Sequence, residues 1–134
     1  MATEHRFGPH TFRIEDEVVV IRYVGGATVA EFQQQVALFQ TIGERVQRMY
    51  VLVDLAHAAL SEPAARKYLA EQAQSAPQQP LGLICFNASV LTRTAVTLVM
   101  RAMRVIGRTF ISTEFVRNEA EARALVATRL RERR

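Results

Sequence analysis

Asp54, His57 and Ser61 fall within eight residues of one another in "YVLVDLAHAALSEPAARKYL", residues 50–69. An acid, an imidazole and a hydroxyl at such spacing raise the possibility of a nucleophilic triad. That chemistry needs the histidine hydrogen-bonded to both partners, and convergent N–H groups to hold an oxyanion. No Gly-x-Ser-x-Gly turn surrounds Ser61. The simpler reading gives each residue a local role: Asp54 closes an apolar strand and ties down the loop, His57 is solvated, and Ser61 caps the helix that follows. The expectation is therefore no catalytic residue and no enzyme.

Other chemistry is weaker. His5 stands in a start expected to be flexible (residues 1–9), His10 directly follows it, and His57 is alone, so no metal site and no cofactor are expected. "YVGGAT" places two glycines before a helix but lacks the glycine pattern and the lysine of nucleotide loops. Cys85, the single cysteine, lies in the apolar run "LGLICFN", where a thiol behaves as a small hydrophobe.

The elements that position these residues are legible from periodicity. At 134 residues the chain makes one domain, 1–134, with a basic tail at 130–134. "HTFRIEDEVVVIRYVGG" reads as a hairpin turning at Glu15–Glu17. A helix capped by Thr28 and Glu31 follows, with Val29, Phe32, Val36 and Phe39 at helical spacing. "MYVLVDL" and "LGLICF" are apolar strands separated by the helix "SEPAARKYLAEQA", with Pro63 in its first turn. Ser89 caps the long helix "SVLTRTAVTLVMRAMRVIGR", "TFISTEFV" is the last strand, and Asn118 with Glu121 caps the final helix. The order β-β-α-β-α-β-α-β-α predicts an α/β fold with a mostly parallel five-stranded sheet, an antiparallel first strand and four helices.

The long helix carries the most informative surface. At about 100° per residue, Leu91, Ala95, Leu98, Ala102 and Val105 form the expected core side. Val96, Met100 and Met103 widen the apolar arc to roughly 200°, more than one sheet face needs. With Arg93 and Arg104 at the rim, this stripe is the expected self-association surface, the commonest form of which is a homodimer.

Charge excludes little. The net charge is +4 and the pI about 10.0, with Lys67 the only lysine and acids interleaved among the arginines. Aromatic residues make up 7% and tryptophan is absent, so no stacking platform for nucleic acid is expected. No apolar run approaches the roughly 20 residues of a membrane span. "MATEHRFGPH" lacks the apolar region of a signal peptide, and the cytoplasm is the expected compartment.

Element order, "GGATVAEF" after the hairpin, "YVLVDL" ending in Asp54, and the closing "RNEAEARALV" together resemble the STAS superfamily, the fold of bacterial anti-sigma factor antagonists. The resemblance covers nearly the whole chain and is nearest to small STAS-like bacterial proteins. It implies a regulatory or scaffolding module that binds protein, with Asp54 matching the strand-end acid. In the antagonists, the helix start beyond that acid docks on an anti-sigma kinase, and a serine in an Asp-Ser-Ser-Gly motif is phosphorylated to release the partner. Here "LSEPAARK" replaces that motif. The expected partner surface is Asp54, His57, Ser61 and Glu62. The alternative is a carrier of a small apolar ligand or lipid, because the fold is similar to that of CRAL-TRIO domains.

Overall fold

The computed structural model describes residues 2–76, 78–107 and 112–133, with the side chains of Gln74 and of residues 102–107 outside that description. Six strands run in chain order across one sheet: β1 (Thr3–Phe7), β2 (His10–Ile14), β3 (Val18–Gly25), β4 (Tyr50–Ala58), β5 (Gly82–Phe86) and β6 (Thr113–Phe115). β1–β2 and β2–β3 pair antiparallel, and β3 to β6 are mutually parallel. Helices α1 (Val29–Ile42), α2 (Pro63–Ser75) and α3 (Val90–Gly107) connect the parallel strands, and α4 (Glu119–Glu132) follows β6.

The layering follows from handedness. The parallel strands advance in one direction, so successive right-handed crossovers stay on one side of the sheet. Val19, Ile21, Val51, Val53 and Leu55 point to that side and pack against Ile42, Phe39 and Val96. The alternate residues Val18, Val20, Tyr50, Leu52, Ile84 and Phe86 face the other side, where Ala122 and Val126 of α4 cover them. β3 and β4 thus bury side chains in both directions, as a sheet covered on both faces requires. α2 packs on α1 through Phe32, Ala65, Tyr68 and Leu69.

The expected caps of α1, α3 and α4 form. Thr28 and Glu31 make a reciprocal capping box at α1, Ser89 Oγ accepts from the Thr92 amide at α3, and Asn118 accepts from the Glu121 amide at α4. Arg123 makes a two-pronged pair with Glu15 at 2.8 and 2.9 Å, fixing α4 to the β2–β3 turn.

Two expectations are corrected. The sheet has a sixth strand, because Thr3–Phe7 pair with Ile14–His10 rather than staying flexible. Gly8 and Pro9 form the two-residue turn between them, with Gly8 at φ +64°, a conformation that favours glycine. The second correction concerns β4, which does not end at Asp54. Its pairing with β3 shifts between Arg22 and Val24, and the strand continues to Ala58.

Candidate functional site

Asp54 lies on the α4 side of the sheet, near the carboxyl ends of three adjacent parallel strands. It is 7% exposed. Its Oδ1 accepts from the Ala56 amide at 3.0 Å and from Asn87 Nδ2 at 3.2 Å. Its Oδ2 accepts from Arg22 Nε at 2.9 Å. Burial pushes the carboxyl up, but the Ala56 amide, Arg22 and Asn87 together hold it below its ordinary value. Arg22 and Asn87 come from β3 and from the end of β5, so one carboxylate joins three strands and closes its own turn. Arg22 also reaches Glu119 at the start of α4, at 3.6 Å.

Ser61 belongs to a different assembly. Its Oγ accepts from the Ala27 amide at 3.0 Å, and its carbonyl accepts from the Arg66 guanidinium. The cap expectation is corrected: α2 begins at Pro63, and Glu62 occupies the cap position without a side-chain hydrogen bond. Gly26 lets the two loops touch. A Cβ there would stand 2.8 Å from the Leu60 carbonyl oxygen and 3.2 Å from Ser61 Cα. The 59–62 loop therefore rests directly on the backbone entering α1.

His57 and Glu62 are exposed. Asp54, His57 and Ser61 are not brought together: none of them hydrogen-bonds another, and the oxygens of Asp54 are engaged on the α4 side. What the rim offers outward is His57, Glu62 and two apolar groups absent from the sequence expectation, Leu60 (63% exposed) and Val24 (44%). Val24 is the register partner of His57.

A second cluster escaped the sequence reading. His10 is fully buried. Its Nδ1 accepts from the Val24 amide at 3.0 Å, which makes Nε2 the protonated nitrogen, donating to Glu31 Oε1 at 3.0 Å. The same oxygen accepts the Thr28 amide of the capping box. The Thr28 amide and His10 hold the Glu31 carboxyl below its ordinary value. The imidazole sits 5.0 Å from the Phe7 ring and 5.4 Å from Tyr23, centroid to centroid. Burial raises the Tyr23 phenol, which donates to Gln35. The cluster pins the amino-terminal hairpin to the strand end and to the first turn of α1. A sequence signal existed: "GPH" is a turn dipeptide followed by a residue in phase with Phe12. Cys85 is buried and its thiol is pushed up to about 12 by burial, so it stays protonated near neutrality.

On α3 the expected faces are exchanged in part. Leu91 (81% exposed) and Leu98 (59%) lie outward, whereas Val96 packs on the core. Arg93 is exposed and stacks over Phe115 at 4.9 Å, and Met100 is half-buried. The side chains of Ala102, Met103, Arg104 and Val105 lie outside the described residues. No described helix is long and apolar enough to cross a membrane.

No protein-family model matches the sequence, and no curated protein matches it. Solved structures do resemble this chain, among them the following two. An uncharacterised protein of the DUF3478 family with a SpoIIAA-like fold, from Shewanella loihica PV-4, superposes with a TM-score of 0.64 at 12% identity, covering 94% of this chain and 92% of its own. The anti-sigma factor antagonist SpoIIAA in its unphosphorylated form gives 0.50 at 13% identity, covering 96% and 98%. The expected fold is therefore the observed one: the chain has a STAS-like, SpoIIAA-like fold.

Proposed function

We propose that the protein is a non-catalytic regulatory or scaffolding module that binds another protein through the rim at the carboxyl ends of β3 and β4. His57, Leu60, Glu62 and Val24 form the contact surface, while Asp54 and Ser61 act from within by holding its backbone. The observation that carries this reading is the combination of exposed Leu60 with a loop clamped by Gly26 and by the Ser61–Ala27 hydrogen bond. A preorganised edge loses little conformational freedom on binding. An anti-sigma factor antagonist of the same fold supports the class of function. The Asp-Ser-Ser-Gly motif is replaced here by "LSEPAARK", so the proposed binding does not run on that motif's serine switch.

The test is photo-crosslinking in cells that make the protein, from a benzophenone residue at position 57 or 62. The expected result is one discrete protein adduct from both positions and none from position 71, an exposed residue on α2. Absence of any adduct from 57 and 62 contradicts the reading. A small mass retained by the purified protein in native mass spectrometry, with no adduct, supports ligand carriage instead.

A further inference from the structure

The outer face of α3 is a second surface, separate from the rim. Residues 88–112 contain four arginines, Arg93, Arg101, Arg104 and Arg108, and no acid. Five arginines elsewhere are matched: Arg13 with Glu15, Arg22 with Asp54, Arg117 with Glu121, Arg123 with Glu15 and Glu119, Arg129 with Glu114. Neither Arg93 nor Arg101 has a carboxylate partner among the described residues.

These two arginines border a groove of about 320 Å³ lined by Val90, Arg93, Thr94, Thr97, Leu98 and Arg101. The apolar part is open to solvent, Val90 at 84% and Leu98 at 59%. The threonine hydroxyls are turned back onto the helix. Thr94 Oγ1 donates to the Val90 carbonyl at 2.9 Å and Thr97 Oγ1 to the Arg93 carbonyl at 2.8 Å. With those hydroxyls satisfied, apolar side chains can enter the groove without orphaning a donor.

We propose that this face docks an acidic amphipathic helical segment of a partner protein. Its apolar side chains enter beside Val90 and Leu98, and its carboxylates meet Arg93 and Arg101. Those arginines are eight residues apart, about 12 Å along the axis, so the matching acids lie about two turns apart on the partner. Charge decides against a second copy. A two-fold interface sets a patch against itself, and here arginines would oppose arginines with no acid in the segment to intervene. The rows of side chains on this face can receive the ridge of a second helix, and the vesicle arm of the test separates that occupant from a bilayer.

The test uses two labelled helical peptides, read by fluorescence anisotropy. Both carry leucines at i, i+3 and i+7. One flanks them with glutamates two turns apart, and its twin has lysines instead. The acidic peptide is expected to bind the wild-type protein, more weakly as salt rises, and the lysine twin is not. Leu98→Ser is expected to weaken binding on the order of tenfold, and the double change R93E/R101E to reverse the preference towards the lysine twin. All three side chains are exposed, so the variants are expected to fold; Leu98→Ser should leave the thermal melt unchanged, and R93E/R101E, which also loses the stack of Arg93 on Phe115, should keep a cooperative melt. Equal binding of both peptides, or of neither, overturns the proposal. So does Leu98-dependent binding to phosphatidylserine-containing vesicles without peptide binding, or a wild-type dimer that Leu98→Ser dissolves.

Discussion

Around the carboxyl end of β4, each carboxylate oxygen of Asp54 has a donor, the Ala27 amide is met by Ser61, and Gly26 presses two loops together. Along the outside of α3, leucines stand in water and two arginines have no carboxylate partner among the described residues. The first region uses its polar groups to hold backbone in place and leaves only a narrow outward edge. The second makes one described contact, the stack of Arg93 on Phe115, and otherwise presents its apolar and charged groups outward. Polar residues that look chemical in sequence are supports in the first region. The unsatisfied surface lies where the helix pattern looked like core.

Substitutions sharpen that contrast, and Asp54→Ala is expected to have the largest effect. It leaves Asn87 and the Ala56 amide without their acceptor and Arg22 without its nearest carboxylate, costing about 3 kcal/mol in denaturant unfolding. A loss under about 1 kcal/mol would place the rim's rigidity elsewhere. The same carboxyl contributes to the acid limb of stability. Its folded pKa is lowered, as is that of Glu31, so their contribution is complete above the ordinary carboxylate range and disappears as pH falls through the folded values. Melts across acid pH should therefore show a flatter limb for Asp54→Ala than for the wild type.

Gly26→Ala comes next, at about 2 kcal/mol, because the new methyl must displace backbone rather than a flexible side chain. Ser61→Ala removes the acceptor of one buried amide and is expected to cost about 1 kcal/mol. Residue-level hydrogen exchange gives the sharper reading: the Ala27 amide should exchange faster while the first-turn amides of α2 do not change. The reverse pattern would restore Ser61 as a helix cap. Leu98→Ser, on the open face, is expected to shift stability by less than about 0.5 kcal/mol in the same unfolding assay.

Much of the fold was readable because its signals are local. The capping pairs Thr28/Glu31 and Asn118/Glu121 mark helix starts, and apolar runs such as "YVLVD" and "LICF" mark the buried strands. β1 was not readable, since "TEHRF" has one buried side chain, Phe7, and becomes a strand only by pairing with β2. His10 was missed for the same reason, its partners Val24 and Glu31 being 14 and 21 residues away. Ser61 has the sequence of a cap, but its partner lies 34 residues off. On α3 an apolar arc near 200° fixes how much surface is apolar, not which part the sheet covers. Val96 went inward, and Leu91 and Leu98 stayed outside.

Native-state amide exchange on the purified protein, resolved by residue, tests the contrast between the two regions most directly. The amides of Val24 and Ala27, bonded to buried His10 and to Ser61, are predicted to exchange only through global unfolding, with the first two turns of α3 opening locally and faster. Fast local exchange at Val24 and Ala27, with α3 protected to the level of the core strands, would contradict the account.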